Sequence, residues 1–330
     1  MARGRLPPEF ELIARHFAPL AAAAPGALGL GDDAALVEVA PGRRLVVTSD
    51  AVVAGVHFLP DDPPDLVARK ALRVNLSDLA AMGARPVGYL LVTAFSDQDE
   101  AWLAAFAGGL AADQAAFGIP LLGGDTVATP GPLTIVVTAL GEVPEGRELR
   151  RSRARPGDLV LVTGTLGDGA LGLKALRGEL AMLTEADRAA LVRRYNLPEP
   201  RLAFGRAVAE GGLAACGMDI SDGLVADLGH VCARSGVGAE IELARLPVSP
   251  AAAAAVAADP ALRPALYAGG DDYELLLTAP PERVPALVQA AAESGLHLTP
   301  IGRIVAGTGV HLKDEEGREI RVRSGGYSHF

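Results

Sequence analysis

Leu45-Val46-Val47-Thr48-Ser49-Asp50 runs three apolar residues straight into two hydroxyls and a carboxylate. Residues 45–47 read as a buried strand, and a strand end of this kind can aim three oxygen donors at one point. The stretch that follows, over about residues 65–82, repeats Leu72, Leu76, Leu79 and Met82 at three- or four-residue spacing and meets Gly83 as its stop, which is a helix. Residues 133–140 form a second apolar, β-branched run, and residues 99–117 a second helical stretch. Strands and helices mixed in this way make an α/β (α+β) half, which ends where Val143-Pro144-Glu145-Gly146 interrupts the apolar pattern.

A second half opens on the basic segment 147–155 and the turn Pro156-Gly157, followed by a strand over 158–163. Helices are expected near 170–176, 184–195 and after Ser221, with strands near 273–278, 297–304 and 310–312. The chain has 330 residues, and single cores stop growing near about 250–300 residues, so two domains are expected, 1–146 and 147–330. No short tandem repeat of the solenoid type is visible.

Composition excludes several classes. Half of the residues are apolar and 21% are charged, so the chain can bury a sizeable core and is not a disordered polymer. A net charge of -10 argues against a general nucleic-acid binder, although bound cations can invert a local potential and admit an anionic substrate. Cys216 and Cys232 lack metal-ligand spacing and, with no secretory signal apparent, read as apolar thiols in a reducing cytoplasm. The Ala-rich stretch 251–258 is broken by Asp259-Pro260, too early to cross a bilayer. No membrane segment is expected.

The chemistry lies in acidic clusters set among Gly, Ser and Thr: Asp32-Asp33, Thr48-Ser49-Asp50, Asp78, Gly123-Gly124-Asp125, Asp219-Ile220-Ser221-Asp222 and Gly269-Gly270-Asp271-Asp272. Carboxylate and hydroxyl oxygens are the ligands of hard cations such as Mg2+. Gathering several carboxylates in one cleft is costly unless cations offset their repulsion. Each cluster has a plainer use. Thr48-Ser49-Asp50 and the Gly-Gly-Asp segments can be turns, Asp78 can be an exposed helix residue, and Ser221 or Asp222 can cap the helix that follows. That helix start also offers free N–H groups to a phosphate. Gly164-Thr165-Leu166-Gly167-Asp168-Gly169 follows a strand and opens a helix, yet it has neither the Gly-Lys-Ser/Thr ending of a P-loop nor the dinucleotide glycine spacing. It reads as structural. The Arg147, Arg150, Arg151, Arg153 and Arg155 run is either a solvated loop or a source of one phosphate-binding guanidinium. His57 lies seven residues after Asp50, nearer an acidic motif than any other histidine.

In this order the motifs resemble the thiamine-monophosphate kinases, a family of the aminoimidazole-ribonucleotide-synthetase-like superfamily. The resemblance covers nearly the whole chain. It rests on Phe10-Glu11-Leu12-Ile13-Ala14-Arg15, Gly31-Asp32-Asp33-Ala34, Ser49-Asp50 with Gly55-Val56-His57-Phe58, Asn75-Leu76-Ser77-Asp78-Leu79-Ala80-Ala81-Met82-Gly83-Ala84, Gly123-Gly124-Asp125-Thr126, Asp219-Ile220-Ser221-Asp222-Gly223-Leu224, Asp272-Tyr273-Glu274-Leu275 and Gly326-Tyr327-Ser328-His329-Phe330.

The resemblance implies a two-domain fold whose N-terminal sheet pairs across a homodimer and whose C-terminal α/β domain completes the nucleotide and substrate site. The implied reaction is phosphorylation of thiamine monophosphate by ATP, assisted by several Mg2+ ions. Carried over by motif, Asp33, Thr48, Ser49, Asp50, Asp78, Asp125, Asp219 and Asp222 would hold Mg2+. Gly124, Asp125, Arg151 and Ser221 would meet ATP, while His57, Asp271 and Tyr327 would meet the thiamine-bearing substrate. Tyr327 would present an aromatic face to the cationic thiazolium. Asp50, Asp78 and Asp125 would matter most to catalysis. The family commonly has Glu where this chain has Asp271, one methylene shorter. A sister ATP-dependent synthetase of the superfamily and a non-catalytic Mg-ATP-binding regulator are the alternatives.

Overall fold

The structure is a computed structural model that describes residues 8–314, 316–320 and 326, with the side chains of Glu9 and Phe10 left out. It forms two compact units. One comprises the residues up to 79 with 85–142, the other residues 80–84 with those from 143 onward.

In the first unit, β1 (Arg43–Val53) leads into helix α1 (Pro64–Ala81), then β2 (Arg85–Phe95), α2 (Glu100–Phe117), β3 (Leu121–Ala128) and β4 (Thr134–Pro144). The four strands lie in the order β1-β4-β2-β3, with β2 antiparallel to β4 and parallel to β3. Helix α1 forms because its apolar residues recur on one face, where Leu72, Leu76 and Leu79 are fully buried. Gly83, at φ 72°, follows its end in the left-handed region where glycine costs least. Asp99 caps α2 by accepting from Trp102 N at 2.8 Å. The two helices approach closely: a Cβ on Gly109 would lie 2.4 Å from Asp65 O. Beside that contact, Asp113 is buried between Arg69 and Arg73.

Alternation along the strands sends Tyr89 and Leu91 into the core and leaves Leu90 and Val92 on an open face. Thr138 pairs with Leu90 across the ladder and hydrogen-bonds Ser49, so Ser49 shares that face, and Leu45 and Val47 join it by the same alternation.

The second unit is a mixed seven-stranded sheet with helices. Its strands are β5 (Leu159–Thr163), β6 (Cys216–Ile220), β7 (Gly238–Glu242), β8 (Glu274–Ala279), β9 (Leu298–Val305), β10 (Gly309–Lys313) and β11 (Glu319–Ile320), in the order β11-β10-β7-β9-β5-β8-β6. Among the described residues of this sheet, β10 and β7 pair in parallel and the other pairs are antiparallel. The helices that matter below are α3 (Asp168–Leu176), α4 (Glu185–Asn196), α5 (Leu202–Gly211) and α6 (Leu224–Ser235). Leu224, Leu228, Val231 and Cys232 form the buried stripe of α6, which ends on Gly236 at φ 67°. No helix among the described residues is long and apolar enough to cross a membrane.

Candidate active site

The first unit brings its oxygen donors together in two groups. The strand does not end at Thr48 as the sequence suggested: β1 runs on to Val53, with Leu45 and Val47 exposed, and from its middle Thr48 Oγ1 donates to Asp78 Oδ2 at 2.5 Å. The Asp50 carboxyl is hydrogen-bonded to Asp78 as well. Burial raises the Asp50 carboxyl above its ordinary range, and the hydrogen bond with Asp78 and the neighbouring His57 oppose that rise. Two neighbouring carboxyls repel each other when both are ionised, and a cation between them relieves that repulsion. The backbone here is fixed by Asn75, fully buried in α1, whose Oδ1 accepts from Asp50 N at 3.1 Å while its Nδ2 donates to Ala71 O at 3.0 Å. Ser49 points to the opposite face, with its Oγ 2.9 Å from Thr138 Oγ1.

Past the strand end the chain folds back on itself. His57 N donates to Val53 O at 2.9 Å, and Val53 N donates to His57 Nδ1 at 3.0 Å. With Nδ1 accepting, the neutral ring carries its proton on Nε2 and can offer it to a ligand.

The second group lines a cleft of about 580 Å³ in the same unit, whose walls include Asp32, Asp33, Gly124, Asp125, Thr126 and Thr138. Gly123, Gly124 and Asp125 lie inside β3, not in a turn as the Gly-Gly-Asp pattern also allowed. Glycine is required at 124, since a Cβ there would sit 1.8 Å from Leu91 O of β2. Asp33 and Asp125 are exposed, and Asp125 Oδ1 accepts from Thr126 N at 2.8 Å. β1 and β3 are the two edges of the sheet. Three strand spacings separate them, roughly 14 Å, so within one chain the Asp50–Asp78 group and the Asp33–Asp125 group are distinct.

In the second unit, Asp219 is the penultimate residue of β6 and almost fully buried, and Ser221 and Asp222 follow in the loop before α6. This loop is locked to the 269–274 loop: Asp271 N donates to Ser221 O and Tyr273 N to Ile220 O, both at 2.8 Å. A Cβ on Gly270 would lie 2.4 Å from Ser221 O, which accounts for a glycine there. Asp271 and Tyr273 have φ of 65° and 52°. Such left-handed non-glycine residues cost on the order of 1–3 kcal/mol and cluster at functional sites. A short acid tolerates this conformation better than most side chains.

Three buried acids shape these loops, and the sequence reading missed their roles. Asp227 Oδ2 accepts from the backbone N–H groups of Ser221, Asp222 and Gly223, and burial together with the Asp222 charge pushes its carboxyl up to about 7. Asp272 accepts from Gly167 N at 2.7 Å and Gly169 N at 3.0 Å, with burial pushing it up to about 8. The glycine-rich segment therefore spends these N–H groups on Asp272, in keeping with its structural reading. Glu274, fully buried, accepts from Thr163 Oγ1, Arg194 and Arg201. An acid in the first turn of α6 was the one visible signal for Asp227.

In the basic segment, Glu148 takes up Arg150 and Arg153. Arg151 is exposed, and its carbonyl accepts from Ser235 Oγ at 2.8 Å. Tyr327 lies outside the described residues; Gly326 is described, and a Cβ on it would lie 2.7 Å from Asp222 O.

The chain matches the AIR synthase related protein N-terminal domain over residues 31–143 and the corresponding C-terminal domain over 155–315. It is 46% identical to the thiamine-monophosphate kinase of Caulobacter vibrioides, over 98% of this chain and 91% of that protein. It is 44% identical to the same enzyme of Escherichia coli K12, over 98% of both. Among solved structures, thiamine-monophosphate kinase from Stenotrophomonas maltophilia superposes with a TM-score of 0.79 at 43% identity, covering 86% of this chain and 89% of that one. AaThiL complexed with AMPPCP and TMP superposes at 0.78 with 34% identity, covering 91% of each. The hydrogenase maturation protein HypE, at 21% identity and a TM-score of 0.76, shares the fold. With domains matched in both halves and kinases aligned end to end, the chain belongs to the thiamine-monophosphate kinase family of the AIR synthase related proteins.

Proposed function

We infer that the protein transfers the γ-phosphoryl group of ATP to thiamine monophosphate, giving thiamine diphosphate and ADP. The observation that carries this reading is the hydrogen-bonded Thr48, Asp50 and Asp78 group in a chain that aligns with thiamine-monophosphate kinases over 98% of its length. The attacking atom is a phosphate oxygen of the acceptor. A phosphate monoester has its second pKa near about 6 and is largely dianionic at neutral pH, so no protein base is needed. The protein's task is to align two anions and offset their repulsion.

The donor set fits Mg2+, because the grouped side chains are carboxylates and hydroxyls with no thiolate among them. Asp33, Thr48, Ser49, Asp50, Asp78, Asp125, Asp219 and Asp222 are the residues that would hold it. Bound Mg2+ supplies charge neutralisation on the transferring group and on the two phosphates flanking it. Asp50, Asp78 and Asp125 are assigned the largest catalytic effect. Gly124 lets the backbone approach a phosphate closely, and Asp125, Arg151 and Ser221 meet the nucleotide beside it. His57 donates through Nε2 to the thiamine-bearing substrate, with Asp271 and Tyr327 as its further contacts. Residues 1–146 serve as the metal, ATP and dimerisation domain, and residues 147–330 contribute the remaining nucleotide and substrate contacts. Homodimerisation is supported by the open apolar face of the first unit, and a cytoplasmic location by the free, buried thiols of Cys216 and Cys232.

The test is product analysis after incubation with ATP, Mg2+ and thiamine monophosphate, with free thiamine and Mg2+-free reactions as controls. Equimolar thiamine diphosphate and ADP are expected. ADP release without thiamine diphosphate would move the protein to a sister activity, and nucleotide binding with no turnover would make it a regulator.

A further inference from the structure

Asp227 lies four residues beyond Gly223 in the first turn of α6, with 1% of its surface exposed. One of its oxygens, Oδ2, accepts from three consecutive backbone donors: Ser221 N at 3.0 Å, Asp222 N at 3.1 Å and Gly223 N at 3.1 Å. Three successive N–H groups converging on one point make a concave anion nest, and here the chain fills the nest with its own carboxylate. Wrapping the backbone of 221–223 around a fixed oxygen sets its dihedral angles. Those angles set the directions in which the Ser221 and Asp222 side chains leave the main chain.

The wrapped loop is also the support of its neighbours. Gly223, at φ 122°, has room for no Cβ beside Ala268, where the nearest atom would be 2.9 Å away. Ser221 O accepts from Asp271 N. The side chains of Asp222, Asp227 and His230 bring ligand-capable atoms within 4.8 Å of one another, so displacement of Asp227 is felt at Asp222 directly.

We propose that Asp227 is a positioning residue for nucleotide binding, which holds Ser221 and Asp222 in their working directions by gathering the three N–H groups of residues 221–223 on one carboxylate oxygen. The assignment rests on the reading of Ser221 and Asp222 as nucleotide and Mg2+ contacts. It adds a residue to which neither the motifs nor the resemblance gave a role. Asp227→Asn keeps an acceptor oxygen of the same reach but removes its charge, whereas Asp227→Ala removes the acceptor.

The experiment is calorimetric titration of the full-length protein and both variants with AMPPCP in the presence of Mg2+, alongside thermal melts and steady-state kinetics. The expected result is a Kd for Mg-AMPPCP raised roughly 10- to 100-fold, more for Asp227→Ala than for Asp227→Asn, with the melting temperature of Asp227→Asn close to the parent's. Wild-type Kd in both variants would overturn the proposal. So would losses of binding that only track the unfolded fraction, or a failure of both variants to fold, since either makes the carboxylate purely structural. Because binding of AMPPCP requires no acceptor, a parent protein that binds it but forms no thiamine diphosphate overturns the kinase reading while the variants still test Asp227. A parent that binds no Mg-AMPPCP overturns both.

Discussion

Asp78 sits half-buried inside a helix among the buried side chains of Asn75, Leu76, Ser77 and Leu79, and its carboxyl faces Thr48 in the middle of β1. Asp78→Asn keeps the size and the acceptor for Thr48 but removes one charge from the group proposed to hold Mg2+. Its kcat should fall on the order of 10²-fold or more while its thermal midpoint stays near the parent's. Steady-state rates at saturating Mg2+ check this, and unchanged turnover there would end the catalytic assignment. Asp272 is a carboxyl of another kind. In the unfolded chain it titrates near 3.8 and in the folded protein near 8, so between those values the folded state holds a proton that the unfolded state has released. The stabilisation is therefore complete below pH 3.8 and is lost as pH rises through about 8, with a slope of at most about 1.4 kcal/mol per pH unit. Asp272→Asn cannot titrate. Urea unfolding at pH 5 and pH 8 should show the parent losing more stability than the variant, and parallel losses would show that Asp272 does not titrate in this way.

At the scale of elements, two constraints carry the loops. β2 and β3 approach so closely at the Leu91–Gly124 pair that Gly124→Ala must part the strands. Overpacking of this kind costs about 1–3 kcal/mol, which thermal melts would detect together with weaker Mg-nucleotide binding. An unshifted midpoint would mean that the edge strand yields freely. Between β8, α4 and α5, Glu274 depends on Arg201 and Arg194. Removing one partner of a buried pair costs about 3–5 kcal/mol, and Arg201→Met should fall at the low end because Arg194 and Thr163 still donate; a change well under 1 kcal/mol in denaturant unfolding would contradict it. These elements differ in how legible they are in the sequence. Helix α1 announces itself by Leu72, Leu76 and Leu79 and by the Gly83 stop, because one buried face imposes one period. β2 is hidden by Arg85, Pro86 and Gly88 at its start, which read as loop even though a proline is tolerated where a strand begins. β3 is legible at Leu121-Leu122, but its continuation is masked by its glycines, of which Gly124 serves the approach of Leu91 and not a turn. At the site, the acids stand out as residue types, but the hydrogen bond that joins Thr48 to Asp78 spans thirty positions and no periodicity encodes it. The nest on Asp227 is invisible for a related reason: three backbone N–H groups have no side-chain signature.

At the scale of the whole molecule, the open face of the first unit raises the question of what covers it. Leu45 is 42% exposed, Val47 56%, and Leu90 and Val92 37% each, and the ladder places all four on one side of the sheet with Ser49. A contiguous apolar patch on a soluble chain marks an interface more often than a bare surface, and the commonest partner is a second copy related by a two-fold axis. The edge-to-edge separation of the two oxygen-donor groups gives the pairing a chemical consequence. In a single chain the Asp33–Asp125 group and the Asp50–Asp78 group stand three strand spacings apart, and the cleft of the first group shares Leu90, Val92 and Thr138 with the open face, so a partner laid on that face would bound this cleft. Val47→Asp places a charge at the centre of that face without touching either group. Where this face pairs two copies as proposed, it should lower the mass measured by light scattering from that of a dimer to that of a monomer and reduce thiamine diphosphate formation far more than it lowers the melting temperature. A dimer of unchanged mass would remove this face from the interface. A monomer with full turnover would show instead that each chain completes its own site, leaving the apolar face to stabilise the dimer alone.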